Sequence, residues 1–225
     1  MSALTIVFDL DGTLVDTAPD LAETLNVILA REGLPPVPYQ TARTMIGGGA
    51  RRMIEAGLAS ERRAASAAAV DRMFDDFILH YATHIADHSR PFPGLIEALD
   101  RLASQGCNLA VCTNKLERLS RLLLDALELT PRFAAICGQD TFGTQKPNPE
   151  VLRRTITQAG GRVSRAIMVG DSATDIDTAK AAAIPVVAVD FGYTETPVTQ
   201  LGPDRVISHF SELPGAVAEL TARIS

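Results

Sequence analysis

Asp9 and Asp11 are separated by one leucine and followed by Gly12-Thr13, directly after the apolar run Leu4-Thr5-Ile6-Val7-Phe8. Three further segments carry residues of the same chemical kind. Thr113-Asn114-Lys115 follows Leu109-Ala110-Val111-Cys112, and Lys146-Pro147 stands in a loop before a helical pattern. Gly170-Asp171-Ser172 follows Ala166-Ile167-Met168-Val169, with Asp175 one helical turn beyond Asp171. In open α/β sheets, ligands bind beyond the carboxyl ends of the strands, so these are the residues a ligand would meet. Three or four carboxylates at one sheet edge repel, and loss of water makes the repulsion worse. A divalent cation relieves it. Magnesium takes oxygen ligands, commonly one or two protein carboxylates with waters and substrate phosphate, and Asp9 and Asp171 are the natural side-chain ligands. Gly12 lets the chain turn sharply, so that backbone groups of Leu10 and Asp11 can face the site.

The elements that must position these residues are short. The three apolar runs named above, with Ala134–Cys137 and Val186–Val189, are continuous rather than alternating, as expected of strands covered on both faces. Helical patterns separate them from residue 94 onward, which predicts an α/β fold with a Rossmann-like parallel sheet core. The first gap differs. About a hundred residues lie between the first and second runs, without a convincing strand. Thr17-Ala18-Pro19-Asp20 reads as a helix start, with Pro in the first turn and Asp three residues after Thr. Leu21, Leu25, Ile28 and Leu29 mark one helix face, and Gly33 closes it. Ser60 is expected to cap a long helix running toward Arg90, and Pro91-Phe92-Pro93-Gly94 breaks the chain. The division is therefore residues 1–15 as core, 16–90 as an inserted all-helical cap domain, and 91–225 as core.

Composition excludes several classes. The chain has 225 residues, 46% hydrophobic and 21% charged, an ordinary globular balance. With 21 basic against 27 acidic residues the net charge is −6, which argues against a nucleic-acid partner. No apolar run approaches the roughly 18 residues of a membrane span, and no secretory leader pattern opens the sequence. A cytoplasmic location with no membrane partner is expected. Cys107, Cys112 and Cys137 lack zinc-type spacing and read as buried reduced thiols. His80, His84 and His88, at i, i+4 and i+8 with Asp87 beside them, read as a solvated or partly buried stripe rather than a metal site. Gly47-Gly48-Gly49 follows no strand, so it is not a dinucleotide fingerprint. It is either a turn between cap helices or a loop facing the core, from which Arg51 or Arg52 could reach a substrate carboxylate.

Together, Asp-x-Asp-Gly-Thr, Thr-Asn, the isolated Lys-Pro and Gly-Asp-Ser-x-x-Asp resemble the four motifs of the haloacid dehalogenase superfamily, over nearly the whole chain. The resemblance implies a Mg²⁺-dependent phosphomonoester hydrolase. Asp9 would be the nucleophile, forming an aspartyl phosphate, and Asp11 the general acid and base. Thr113, Asn114 and Lys146 would hold the phosphoryl oxygens. Asp9, Asp171, Asp175 and the main-chain carbonyl of Asp11 would form the metal site. The second acid, Asp11, favours phosphate transfer over carbon–halogen cleavage. Overall length, the Phe8–Thr17 stretch, Thr113-Asn114-Lys115 and Ile46–Gly49 narrow the implied substrate to 2-phosphoglycolate, a small phosphorylated metabolite. Gly48, Arg51 and Lys115 are the candidates for specificity. A phosphosugar phosphatase, a sugar-phosphate mutase and a non-enzymatic aspartate phosphoacceptor stay open as alternatives, as do monomer and homodimer.

Overall fold

The computed structural model describes residues 3–194 and 196–223. The elements run β1 (Thr5–Phe8), β2 (Val15–Asp16), α1 (Ala18–Arg31), α2 (Tyr39–Thr44), α3 (Ala50–Ser60), α4 (Ala67–Thr83) and β3 (Arg90–Pro91). Then follow α5 (Leu95–Ser104), β4 (Asn108–Cys112), α6 (Glu117–Ala126), β5 (Ala135–Cys137), α7 (Pro149–Gln158), β6 (Ala166–Gly170), α8 (Ala173–Ala182), β7 (Val186–Val189), β8 (Arg205–Ile207) and α9 (Leu213–Thr221).

Six strands form one sheet in the order β5-β4-β1-β6-β7-β8, with every neighbouring pair parallel. The sheet is the one the apolar runs predict, extended by a short edge strand, β8. Both faces are covered. Ile6 and Phe8 of β1 pack with Leu109, Val111, Ile167 and Val169 on one side. Val7 packs with Ala110, Cys112 and Met168 on the other. Burying each large side chain of this kind contributes about 1.5–3 kcal/mol. The strand order reverses direction at β1, which makes the carboxyl end of β1 the switch point where a ligand crevice opens.

Helices α1–α4 form a separate layer with its own core, in which Leu25, Leu29, Ile54, Phe77 and Tyr81 are buried together. Two expectations within this layer are corrected. Ser60 ends α3 instead of starting a helix, and its hydroxyl bonds back to the Gly57 carbonyl. The cap of α4 is Ser66, whose side chain accepts from the Ala69 N–H. The gap after β1 is also not strand-free, because Val15 and Asp16 pair antiparallel with Pro91 and Arg90. These two-residue strands form a ribbon at both passages between the layers. A stretch so short leaves no periodic signal in a sequence.

The start of α1 differs from the expected capping arrangement as well. Thr17 occupies the cap position, but its side chain makes no capping bond. Its hydroxyl donates to Asp11 instead. Asp20 does not serve its own helix. Its carboxylate accepts from the backbone N–H groups of His88 and Ser89 and from the Ser89 hydroxyl, at 2.6–2.9 Å. Asp20 is thus the tie between α1 and the returning chain. Hydrogen bonds to a charged group are each worth about 1.5–3 kcal/mol. Asp20→Ala should therefore lower the unfolding free energy by about 2–3 kcal/mol in urea titration; a loss below ~0.5 kcal/mol, the size of a typical surface substitution, would show that this tie is not stabilising.

Candidate active site

Three adjacent strands deliver the polar groups. Asp9 leaves β1 and its N–H donates to the Val169 carbonyl of β6, which holds the two strand ends together. Thr113 leaves β4 and Asp171 leaves β6. The Asp171 carboxylate accepts the Thr13 hydroxyl at 3.0 Å and the Tyr193 N–H at 2.8 Å. Gly12 has a φ of +82°, and a Cβ there would lie 2.6 Å from Asp171 Oδ2. Glycine is therefore required twice at that position, for the turn and for the close approach.

Lys146 reaches this floor from the loop before α7. Its ammonium donates to Asp175 Oδ1 at 2.6 Å and lies 2.8 Å from Asp9 Oδ1 as an ion pair. Asn114 fixes that loop with both ends of its amide, donating to the Lys146 carbonyl and accepting from the Lys146 N–H. The Asn148 side chain accepts from the Glu150 N–H and starts α7, with Pro149 in its first turn. Asp175 has both oxygens engaged. Oδ2 accepts from the N–H groups of Asp171 and Ser172 and from the Ser172 hydroxyl, while Oδ1 holds Lys146. Asp175 therefore anchors the lysine and the start of α8 at once.

Asp9, Asp171 and Asp175 are all buried, with one carboxylate oxygen from each lying within 4.8 Å of the others. Burial raises the Asp9 pKa to about 6, with Lys146 pulling it down and Asp175 pushing it up. Burial, then repulsion from Asp175 and Asp9, raises Asp171 to about 8. Burial opposes the charge on Lys146, but Asp175 and Asp9 outweigh it and push its pKa up. One ammonium does not match three carboxylates. Asp9 Oδ1 is buried, with the Lys146 ammonium beside it. An all-oxygen donor set in which one ammonium faces three buried carboxylates, two of them reluctant acids, fits a hard divalent cation. Asp9 and Asp171 have the chemistry to hold it directly; Asp175 is committed elsewhere.

Asp11 points the other way. Its carboxylate accepts the Lys115 ammonium at 2.9 and 3.1 Å and the Thr17 hydroxyl at 2.8 Å. Burial opposes the charge on Lys115, but Asp11 outweighs it and raises its pKa. Asp9, Asp11, Thr113, Asn114 and Lys115 face Met53, Phe74, Phe77 and Tyr81 of the helical layer across a small pocket. The specificity candidates separate here. Lys115 lies inside the pocket. Gly48 borders a wider opening beside Asp171 and Ser172, with the Arg52 side chain packed directly against that glycine. Arg51 is drawn away, paired with Asp71 at 2.6 Å and lying over the Phe74 ring.

The sequence reading missed Tyr81, Tyr193 and Arg43. The Tyr193 hydroxyl accepts from the Thr17 and Ala18 N–H groups and donates to Asp16, which closes the start of α1. Arg43 donates to the carbonyls of Phe191 and Gly192 and lies over the Tyr193 ring. A lone tyrosine in a loop carries no motif, and Phe74, Phe77 and Tyr81 share the spacing of an ordinary packed helix face. The histidine stripe does not persist, because α4 ends at Thr83 and His88 lies beyond it. His80 and His84 stack, His84 pairs with Asp87, and His88 lies near Glu23, so their ring nitrogens do not converge. Cys112 and Cys137 are buried and unpaired as expected, but Cys107 is only half-buried.

The raised acids set a pH response. Between about pH 4 and 8, Asp9 and Asp171 bind more protons in the folded, metal-free protein than in the unfolded chain, so the stability they contribute falls as pH rises. In chelator, the melting temperature should drop from pH 5 to pH 8, and added magnesium should restore more at pH 8 than at pH 5. A chelated protein more stable at pH 8, read by differential scanning calorimetry, would contradict the proposed repulsion.

Comparison with known proteins agrees with this geometry. The model of the haloacid dehalogenase-like hydrolase family matches residues 6–189. A protein of Mesorhizobium japonicum named phosphoglycolate phosphatase is 53% identical over 223 residues, spanning 99% of this chain and 98% of that one. A Caulobacter vibrioides protein of the same name is 47% identical, spanning 98% and 93%. A crystal structure described as a predicted phosphoglycolate phosphatase from Haemophilus somnus superposes with a TM-score of 0.89 at 29% identity, covering 96% of this chain and 98% of that chain. With the sheet order, the acidic floor and the buried lysine, these matches give one conclusion: the chain belongs to the haloacid dehalogenase-like hydrolase family.

Proposed function

We propose that the chain is a magnesium-dependent phosphomonoester hydrolase that converts 2-phosphoglycolate to glycolate and phosphate through a phosphorylated Asp9. The observation that carries this reading is the buried floor of Asp9, Asp171 and Asp175 around Lys146, facing a small pocket. Its room for the centre of a water molecule is about 40 Å³. One water needs at least about 10–15 Å³ on that measure, so a leaving group of a few atoms suits the pocket. The relatives at 53% and 47% identity, named for phosphoglycolate, support the same substrate.

In the first step an Asp9 carboxylate oxygen attacks phosphorus and the bond to the glycolate oxygen breaks. Asp11 gives that oxygen a proton. In the second step Asp11 takes a proton from water, the water oxygen attacks phosphorus, and Asp9 leaves as a carboxylate. Lys146, the Thr113 hydroxyl and the backbone N–H of Asn114 hold the other phosphoryl oxygens. Asp175 keeps the Lys146 ammonium at the floor, and the Asn114 amide keeps its loop in place. Magnesium, held by Asp9, Asp171 and the main-chain carbonyl of Asp11, would neutralise phosphoryl charge and keep Asp9 ionised. Residues 16–90 act as a cap that shuts the pocket and excludes bulk water.

No helix among the described residues is long and apolar enough to cross a membrane. A small phosphorylated metabolite and unpaired cysteines support a reducing cytoplasm as the setting.

With magnesium present, kcat/KM for 2-phosphoglycolate should exceed that for glucose 6-phosphate by about 100-fold or more. Equal turnover would point to a broad sugar-phosphate enzyme, and a single turnover to a phosphoacceptor. Asp9→Asn should lower kcat by about 10³-fold or more without loss of folding by circular dichroism. Asp11→Asn should slow 2-phosphoglycolate by about 10²–10⁴-fold. The loss in the first step should be smaller with p-nitrophenyl phosphate, whose leaving group needs no proton. Near-native activity of Asp9→Asn would remove the nucleophile assignment.

A further inference from the structure

Two lysines are buried beside the pocket, and they are not equivalent. Lys146 is matched by two carboxylates, Asp9 and Asp175. Lys115 is matched by Asp11 alone among the ion pairs of the described residues. Its ammonium lies 4.5 Å from the centroid of the Tyr81 ring. Tyr81 is fully buried; the Lys115 ammonium faces its hydroxyl oxygen but can only donate, and among the described residues the hydroxyl proton finds no acceptor. Burial holds its pKa at about 12, so it stays a hydroxyl with a proton to donate. A buried polar group left without a partner is costly and uncommon in a folded protein. The neighbouring wall from the helical layer is apolar, formed by Leu21, Met53, Phe74 and Phe77.

We propose that Lys115 and Tyr81 form the recognition site for a carboxylate on the leaving portion of the substrate. The proposal rests on the phosphatase reading and adds to it the reason for an acid-bearing substrate. A carboxylate there would accept the Tyr81 hydroxyl and share the Lys115 ammonium now held by Asp11. Lys115 is the one cation among the described residues that line this pocket: Arg51 is paired outside it, Lys146 is held at the floor and Arg52 borders the neighbouring opening. The small volume of the pocket favours a short spacer between the ester oxygen and the carboxylate. A leaving group with no acceptor would leave the Tyr81 proton unpaired and gain nothing from Lys115. A site built around buried donors discriminates strongly for that reason.

The test compares 2-phosphoglycolate with ethyl phosphate, which has the same two carbons and neither an acid nor a hydroxyl group. Lys115 also touches Asp11, so the readout is the ratio of kcat/KM values for the two esters, which cancels any general effect on catalysis. In the wild type the ratio should be about 100 or more. Lys115→Met should lower it by about 100-fold, mainly by raising KM for 2-phosphoglycolate. Tyr81→Phe keeps the ring and should lower the ratio by about 3–10-fold. Glycolate should raise the melting temperature of the wild type and not of Lys115→Met, independently of turnover. A wild type that hydrolyses neither ester removes the phosphatase reading. A wild type that prefers 2-phosphoglycolate, with a ratio unchanged in both variants, removes only the role given to Lys115 and Tyr81.

Discussion

Like charges forced together out of water are the constraint around which this molecule is arranged. Asp9, Asp171 and Asp175 converge where the sheet order reverses, and every nearby feature limits the cost of that convergence. Lys146 supplies one opposing charge, and its loop is fixed by Asn114. Asp175 is satisfied by backbone donors at the start of α8, where a helix terminus favours negative charge. Asp171 is met by Thr13 and the Tyr193 backbone. What remains unbalanced is local to Asp9 and Asp171, the two acids whose pKa values are pushed up. The fold places its residual strain where an ion and a phosphoryl group would be received, a distribution common to functional sites.

The helical layer solves a different problem. On the proposed mechanism the floor meets only the phosphoryl end, so by itself it would act on any phosphate ester. Selection must come from residues on the far side. Those residues are Met53, Phe74, Phe77 and Tyr81, with Lys115 reaching toward them from the sheet edge. The Asp11–Lys115 pair spans the boundary between the two halves of the pocket. Chemistry and selection thus meet at a single ion pair.

The sheet and its floor were legible because their signals are dense. Five unbroken apolar runs can hardly be anything but covered strands, and paired acids after two of them have few structural uses. The rest fails for identifiable reasons. The strands at Val15–Asp16 and Arg90–Pro91 are too short for periodicity. Asp20 has the identity and position of a helix-start acid, yet it bonds to residues about seventy positions away, and only tertiary structure reveals such a partner. Ser60 and Ser66 are equally plausible caps by type, and the turn between α3 and α4 decides for Ser66. Arg51 was a reasonable carboxylate ligand from spacing alone. Its capture by Asp71 depends on how α3 packs against α4. Tyr81 belongs to no motif and packs in the core of the helical layer, and its polar end shows only once the opposite wall is known.

Tyr193 joins two regions that share no other residue in this way. Its backbone nitrogen grips Asp171, and its phenol oxygen binds the first amides of α1 and the Asp16 carboxylate. Arg43 reaches over from α2 to clasp the same loop. Thermodynamic linkage makes such an arrangement reciprocal. Whatever free energy cation loading contributes to the seating of this loop, loop seating returns to cation affinity in equal measure. The first turn of α1 and the acidic floor are therefore two ends of one lever, and its fulcrum is a single aromatic side chain.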